Sequence, residues 1–130
     1  MIQLYTDGGA RGNPGPAAYA FLIFKVEKKL YQEGKKLGTT TNNVAEYTAV
    51  IEGLRRAAEF DYEVEVFSDS ELVIRQLNGE YKIKQPHLRE LSYKLREAES
   101  RFKMVVYNHR PREDPMQKMA DGLVNQTLDS

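Results

Sequence analysis

An α/β fold is what this sequence predicts, and three observations predict it. The first forty residues are rich in β-formers and broken by turn residues, as in "YAFLIFKV" and "LYQEGKKL"; apolar residues then recur at helical spacing from Val44; and beyond residue 60 strand-like and helix-like segments alternate. At 130 residues, with 41% hydrophobic and 29% charged, the chain suits one domain, 1–130, with one core, and no low-complexity linker divides it. The absence of cysteine excludes disulfides, thiolate metal sites and cysteine nucleophiles. No apolar run reaches membrane-spanning length and "MIQLYTDGG" is not a secretory leader, so no membrane partner is expected and a cytoplasmic location is. The 19 Lys and Arg balance the 19 Asp and Glu, which argues against a protein that grips nucleic acid by bulk positive charge alone.

Residues 2–6 read as the first strand, and Gly8, Gly9, Gly12 and Gly15 then impose a loop, which puts Asp7 where a strand ends. Taken alone, an Asp before Gly-Gly is a turn residue. Residues 19–26 and 30–37 read as two further strands of an antiparallel meander, joined by a turn at Glu27-Lys28-Lys29. Val44, Tyr47, Thr48, Ile51, Leu54 and Ala58 define an amphipathic helix over about 43–60, opened by the N-cap candidates of "TTTNN". Glu46 falls in its first turn, where Asn43-x-x-Glu46 would also serve as a capping box. Residues 64–67 form a strand that runs into a helix starting near Ser70, so Asp69 stands at a strand's carboxyl end, where open α/β sheets place their sites; helix capping is the alternative role. A helix past Pro86 buries Leu88, Leu91, Leu95 and Ala98. "FKMVVYNHR" is a last strand, and "DPMQKMADGLVNQTL" a terminal helix with Met116, Met119, Ala120, Leu123 and Val124 facing inward and Asp121 beside that stripe.

Each of the four acids has an ordinary structural role open to it, yet together they form a pattern: two at strand ends and two on helices. With no cysteine and only His87 and His109 available, clustered oxygen ligands point to a hard divalent ion, Mg²⁺ or Mn²⁺, and such an ion takes phosphate oxygens among its ligands.

The segments "YTDGGARGNPGPAAYA", "TTNNVAEYTAVIEGL", "SDSELVIRQLNGEYKIK" and "HRPREDPMQKMADGLVNQ" resemble, in order and along almost the whole chain, type 1 ribonuclease H. The resemblance implies a ribonuclease H-like fold, a mixed five-stranded sheet with helices on its faces. It implies hydrolysis of the RNA strand of RNA–DNA hybrids to 5′-phosphate and 3′-hydroxyl ends by a monomer. Asp7, Glu46, Asp69 and Asp121 become the catalytic carboxylates and the ligands of two Mg²⁺ ions, which Mn²⁺ can replace. Asn13, Asn42 and Asn43 match groove-reading asparagines, Thr41 a DNA-phosphate contact, and Gly8, Gly9 and Ala10 expose main chain beside Asp7, the glycines letting the duplex backbone approach.

The chain also departs from that pattern. "NGEYKIKQPHL" leaves no room for a basic, Trp-containing protrusion that many relatives carry, so weaker hybrid binding is expected. Glu71 replaces a groove-contacting Gln, and Gln117 stands where relatives often have Asn or Glu. In the loop before the last helix, "RPREDPM" lacks the usual Gly-His pair, which leaves His109, Arg110, Arg112, Glu113 and Asp114 as candidates for an assisting residue. Setting the four acids aside leaves an excess of basic side chains, compatible with a modest electrostatic contribution to nucleic-acid binding. A non-catalytic hybrid-binding domain and another phosphoryl-transfer nuclease of the same fold are the other readings; the four intact carboxylates argue against the first and the asparagines against the second.

Overall fold

The computed structural model describes residues 1–130. Five strands, β1 (Ile2–Ala10), β2 (Gly15–Lys25), β3 (Lys28–Thr40), β4 (Glu63–Ser68) and β5 (Met104–His109), form one mixed sheet in the order β3-β2-β1-β4-β5. β1, β2 and β3 are antiparallel, whereas β4 runs parallel to β1 and β5 parallel to β4. The meander supplies the antiparallel half, and the crossovers through α1 (Asn42–Ala57) and through α2 (Glu71–Leu77) with α3 (Pro86–Glu99) supply the parallel half. A final helix, α4 (Pro115–Asp129), packs against β1, β2 and β3.

Strand alternation sorts the core into two layers. Ile2, Leu4, Tyr19, Phe21, Ile23, Val64 and Val66 join buried residues of α1, α2 and α3, including Tyr47, Leu54, Ile74 and Leu95. On the α4 side Tyr5, Leu22, Phe24 and Phe67 pack with Ala120, and Ala18 and Ala20 with Val124. β2, covered on both faces, is therefore nearly continuously apolar. Small residues let α4 come close: a Cβ on Gly34 would stand 3.2 Å from Leu123 Cγ and would collide with the Thr127 hydroxyl.

Several element boundaries differ from the sequence reading. β1 does not stop at residue 6, because Asp7, Gly8, Gly9 and Ala10 pair with Ala20, Tyr19, Ala18 and Ala17 of β2. The loop is only residues 11–14, and antiparallel pairing overrides the weak strand propensity of glycine. β3 likewise begins at Lys28 and runs to Thr40, so the turn falls on Val26 and Glu27, with Val26 at φ 59°. On α4 Met116, Ala120, Leu123 and Val124 pack inward as expected, but Gln117 joins them and Met119 is 44% exposed.

Candidate active site

β1 is paired with β4 only as far as Tyr5↔Phe67, so from Thr6 onward it projects beyond its parallel neighbour. Asp7 sits on this projection, 7% exposed, on the same strand face as Tyr5 and thus toward α4. Gly8 points to the opposite face, where a Cβ would stand 2.5 Å from the Glu46 amide nitrogen and closer still to the Ala45 carbonyl. The glycine is required by the approach of α1 to β1, not by a turn, and that approach brings Glu46 to Asp7. Packing against α1 is thus a structural requirement at Gly8, whereas Gly9 meets only Val124 at 4.0 Å.

Glu46 is the fifth residue of α1, outside its first turn. The N-cap is Thr41, whose Oγ1 accepts from the Val44 N–H at 3.2 Å, so the capping box does not form. Glu46 Oε2 is buried and has no hydrogen-bond partner. Asp69 follows β4, and Ser70 rather than Asp69 caps α2, accepting from the Val73 N–H at 3.3 Å. Asp121 lies on α4 one turn after Gln117, and Asn125 Nδ2 donates to its backbone oxygen at 3.2 Å and more weakly to Oδ2 at 3.5 Å. Helix capping thus accounts for neither Glu46 nor Asp69.

A cleft of about 380 Å³ opens among these elements, walled by Asp7, Gly8, Gly9, Ala10, Arg11, Asn42, Glu46, Arg112, Asp121, Val124, Asn125 and Leu128. Asp69 adjoins it, 4.0 Å from Arg112 Nε. The carboxylates feel one another. Burial first, then the charges of Asp69, Asp121 and Glu46, push Asp7 up to about 8. Burial, aided by Asp69 and opposed by a hydrogen bond from Ser70, lifts Glu46 to about 7. Burial raises Asp69 too, against the nearby Arg112 guanidinium.

The donors are all oxygen, which suits Mg²⁺ or Mn²⁺, and the unpartnered Glu46 Oε2 and the proton-retaining Asp7 are what a cation would relieve. No three of the His, Asp or Glu side chains stand tightly enough to chelate a single ion as they are. Like charges in a partly buried cleft favour such spreading. The residues therefore fit a hard divalent ion in the chemistry of their donors.

The residues matched to substrate contacts divide into two groups. Asn42 Oδ1 accepts from the Ala10 N–H at 2.8 Å, and Asn13 Oδ1 accepts from the Asn42 N–H at 3.1 Å, so both asparagines tie the 11–14 loop and the end of β1 to the start of α1. Asn43 has no protein partner for its amide. Among the assisting candidates, Asp114 caps α4, accepting from the Met116 and Gln117 N–H groups. Arg110 donates to Asp114 at 2.9 Å and lies over the Phe67 ring, 4.4 Å from its centroid. His109 ends β5 and is exposed, whereas Arg112 reaches the cleft. Two cleft residues were missed in the sequence. Asn125 could have been found by its i+4 spacing from Asp121; Arg11, held by Asp129 at 2.6 Å, carries no local signal.

A family model described as Reverse transcriptase-like matches residues 5–127. The ribonuclease HI of Halobacterium salinarum is 38% identical over 98% of this chain and 64% of its own length. The bifunctional protein Rv2228c of Mycobacterium tuberculosis is 36% identical over 99% of the chain, which spans 36% of that relative. Among solved structures, LC11-RNase H1 in complex with RNA/DNA hybrid superposes with a TM-score of 0.93 at 43% identity, covering 99% of this chain and 97% of the other.

Proposed function

Because the chain belongs to the type 1 ribonuclease H family, within the reverse transcriptase-like group, we propose that it hydrolyses the RNA strand of RNA–DNA hybrids, with Asp7, Glu46, Asp69 and Asp121 holding divalent metal. The observation that carries this reading is the convergence of acids from β1, α1, the end of β4 and α4 beside one open cleft, with Asp7 pushed up to about 8 and Glu46 Oε2 unpartnered. Left to themselves, Asp7, near 8, and Glu46, near 7, hold protons at neutral pH wholly or in part. Cation binding there displaces those protons, so affinity for the ion rises with pH.

Two Mg²⁺ ions, or Mn²⁺ in their place, would supply a nucleophilic water and neutralise charge on the leaving oxygen. The water oxygen adds to phosphorus, the bond from phosphorus to the 3′-oxygen breaks, and a proton ends on that oxygen; the products are a 5′-phosphate and a 3′-hydroxyl. Arg112, on the rim beside Asp69, is placed to face the phosphodiester as it gains charge. Asn43, with a free amide at the start of α1, is the best-placed reader of the 2′-hydroxyl and minor groove, and the free Nδ2 of Asn42 comes next. Gly8, Gly9 and Ala10 present main chain along the cleft, and Asn13 and Thr41 act by shaping the loop and helix start around it.

No helix of the chain is long and apolar enough to cross a membrane. Action as one domain and a monomer in the cytoplasm completes the proposal, supported by the cysteine-free composition.

The test is cleavage of matched RNA–DNA, RNA–RNA and DNA–DNA duplexes with and without Mg²⁺, alongside Asp69→Asn. Only the hybrid should be cut efficiently, only with the ion, and the variant should lose several orders of magnitude in rate while still binding hybrid. Metal-independent cutting, equal cutting of DNA duplex, or wild-type turnover by the variant would each defeat the assignment.

A further inference from the structure

We infer that Gln117 is a positioning residue that sets the spacing of Asp7 and Asp121, acting through the backbone carbonyl of Thr6. The inference rests on the hydrolytic reading above and extends it to a side chain that hydrogen-bonds none of the four carboxylates.

Gln117 is 1% exposed and lies one helical turn before Asp121. Its Nε2 donates to the Thr6 carbonyl at 3.2 Å. Thr6, also 1% exposed, donates its own Oγ1 to the Phe67 carbonyl at 2.9 Å. Thr6 immediately precedes Asp7, and Phe67 stands two residues before Asp69. One buried run of two hydrogen bonds therefore joins α4 and β1, which carry Asp121 and Asp7, to β4, which leads into Asp69. It lies just where the β1–β4 ladder ends at Tyr5↔Phe67, so side chains take over from backbone pairing in holding the projecting end of β1.

Packing alone does not call for an amide here. Gln117 Oε1 is buried without a partner, which is destabilising, and an apolar side chain of similar length would avoid that penalty. What the amide adds is the bond to Thr6. Asp7 and Asp121 wall the same cleft from β1 and α4, so a small shift between the two elements changes the site where an ion would sit. Residues that orient metal ligands in this way typically alter affinity by about 10–100-fold when replaced.

The test is Gln117→Met, which removes both polar atoms at nearly constant length, compared with Thr6→Val, which removes the second hydrogen bond at constant shape. Melting in EDTA, the shift in Tm across a Mg²⁺ titration, and hybrid cleavage against Mg²⁺ concentration are measured for wild type and both variants. Gln117→Met should melt in EDTA close to wild type, since relief of the orphaned Oε1 offsets loss of the donor to the Thr6 carbonyl, should bind Mg²⁺ about tenfold more weakly, and should need correspondingly more Mg²⁺ for half-maximal rate, with KM for hybrid unchanged at saturating ion. Thr6→Val should shift Mg²⁺ dependence in the same direction, and it carries the test if Gln117→Met fails to fold. Unchanged Mg²⁺ affinity in the folded variants, beside a wild type that does respond to Mg²⁺, overturns the inference alone. A wild type that shows no Mg²⁺-dependent shift overturns the hydrolytic reading and this inference with it.

Discussion

Replacing Asp7 by Asn should stabilise the metal-free protein at neutral pH and do much less for it in acid. Asp7 ionises near 3.8 in an unfolded chain and near 8 when folded, through burial and then the charges of Asp69, Asp121 and Glu46. A raised folded pKa means that the folded state binds the extra proton, so its contribution is intact below about 3.8 and is lost as pH rises toward 8. At pH 7 roughly three units of that window have been crossed, and at about 1.4 kcal/mol per unit the burden is on the order of 4 kcal/mol. Asn carries no such burden. For a chain of this size the gain corresponds to a rise in Tm of roughly 10–15 °C at pH 7. At pH 5, with about one unit crossed, only about 1–2 kcal/mol should separate the two proteins. Melts followed by circular dichroism in EDTA at pH 5, 6, 7 and 8 give the gap directly. Adding Mg²⁺ should then close it by stabilising the wild type more than the variant. A gap that stays flat from pH 5 to 8 would show that Asp7 does not bear the charge repulsion assigned to it.

Gly8→Ala should cost at least about 1–3 kcal/mol, since its Cβ meets immovable α1 backbone, and should weaken Mg²⁺ binding by displacing Glu46; melts and a Mg²⁺ titration check both. Arg112→Ala should shift the acid limb of the rate profile upward by less than about one pH unit, because an exposed guanidinium 4.0 Å from Asp69 is screened by solvent; a pH–rate series measures this, and no shift would remove Arg112 from the site. Asn43→Ala should raise KM for hybrid while changing stability by less than about 0.5 kcal/mol, whereas Thr41→Ala should cost about 1 kcal/mol as the true cap is lost. Hybrid binding by Asp69→Asn should have a shallower salt dependence than a relative bearing a basic protrusion, each phosphate contact adding about 0.9 to the log–log slope. A steep slope would transfer the role of the arm to Lys82, Lys84 and Arg89.

The four acids were legible because each stands out against a local pattern: Asp7 comes directly after the apolar run 2–6, Asp69 follows β4, and Glu46 and Asp121 sit on amphipathic helices. What local pattern could not convey is how far a strand continues once it has a partner. Gly8 and Gly9 have poor strand propensity, yet pairing with Tyr19 and Ala18 carries β1 through them, a tertiary effect invisible within nine residues of sequence. The inward face of α4 differs from expectation only at Met119 and Gln117, for a related reason. Its apolar residues cover a wide arc, and the line that actually touches the sheet is chosen by where the opposing surface is smallest, at Ala18 and Ala20 under Val124. That choice turns Met119 outward and Gln117 inward, so the buried amide could not be identified without the strands beneath it.

The asparagines are a harder case, because the sequence assigned Asn13, Asn42 and Asn43 one role and the fold gives them different amounts of freedom. Asn13 and Asn42 each commit an amide oxygen to the backbone at the junction of β1, its loop and α1. Freeing those oxygens to meet a substrate would leave the Ala10 and Asn42 N–H groups without their partners, each loss costing about 1 kcal/mol where solvent can partly replace the bond. The donor groups carry no such cost: Asn13 Nδ2, Asn42 Nδ2 and the whole Asn43 amide are uncommitted. A 2′-hydroxyl can accept from such donors, and in DNA that acceptor is missing. Discrimination between RNA and DNA should therefore fall most heavily when Asn43 is replaced, while replacement of Asn13 should act first on the melting temperature.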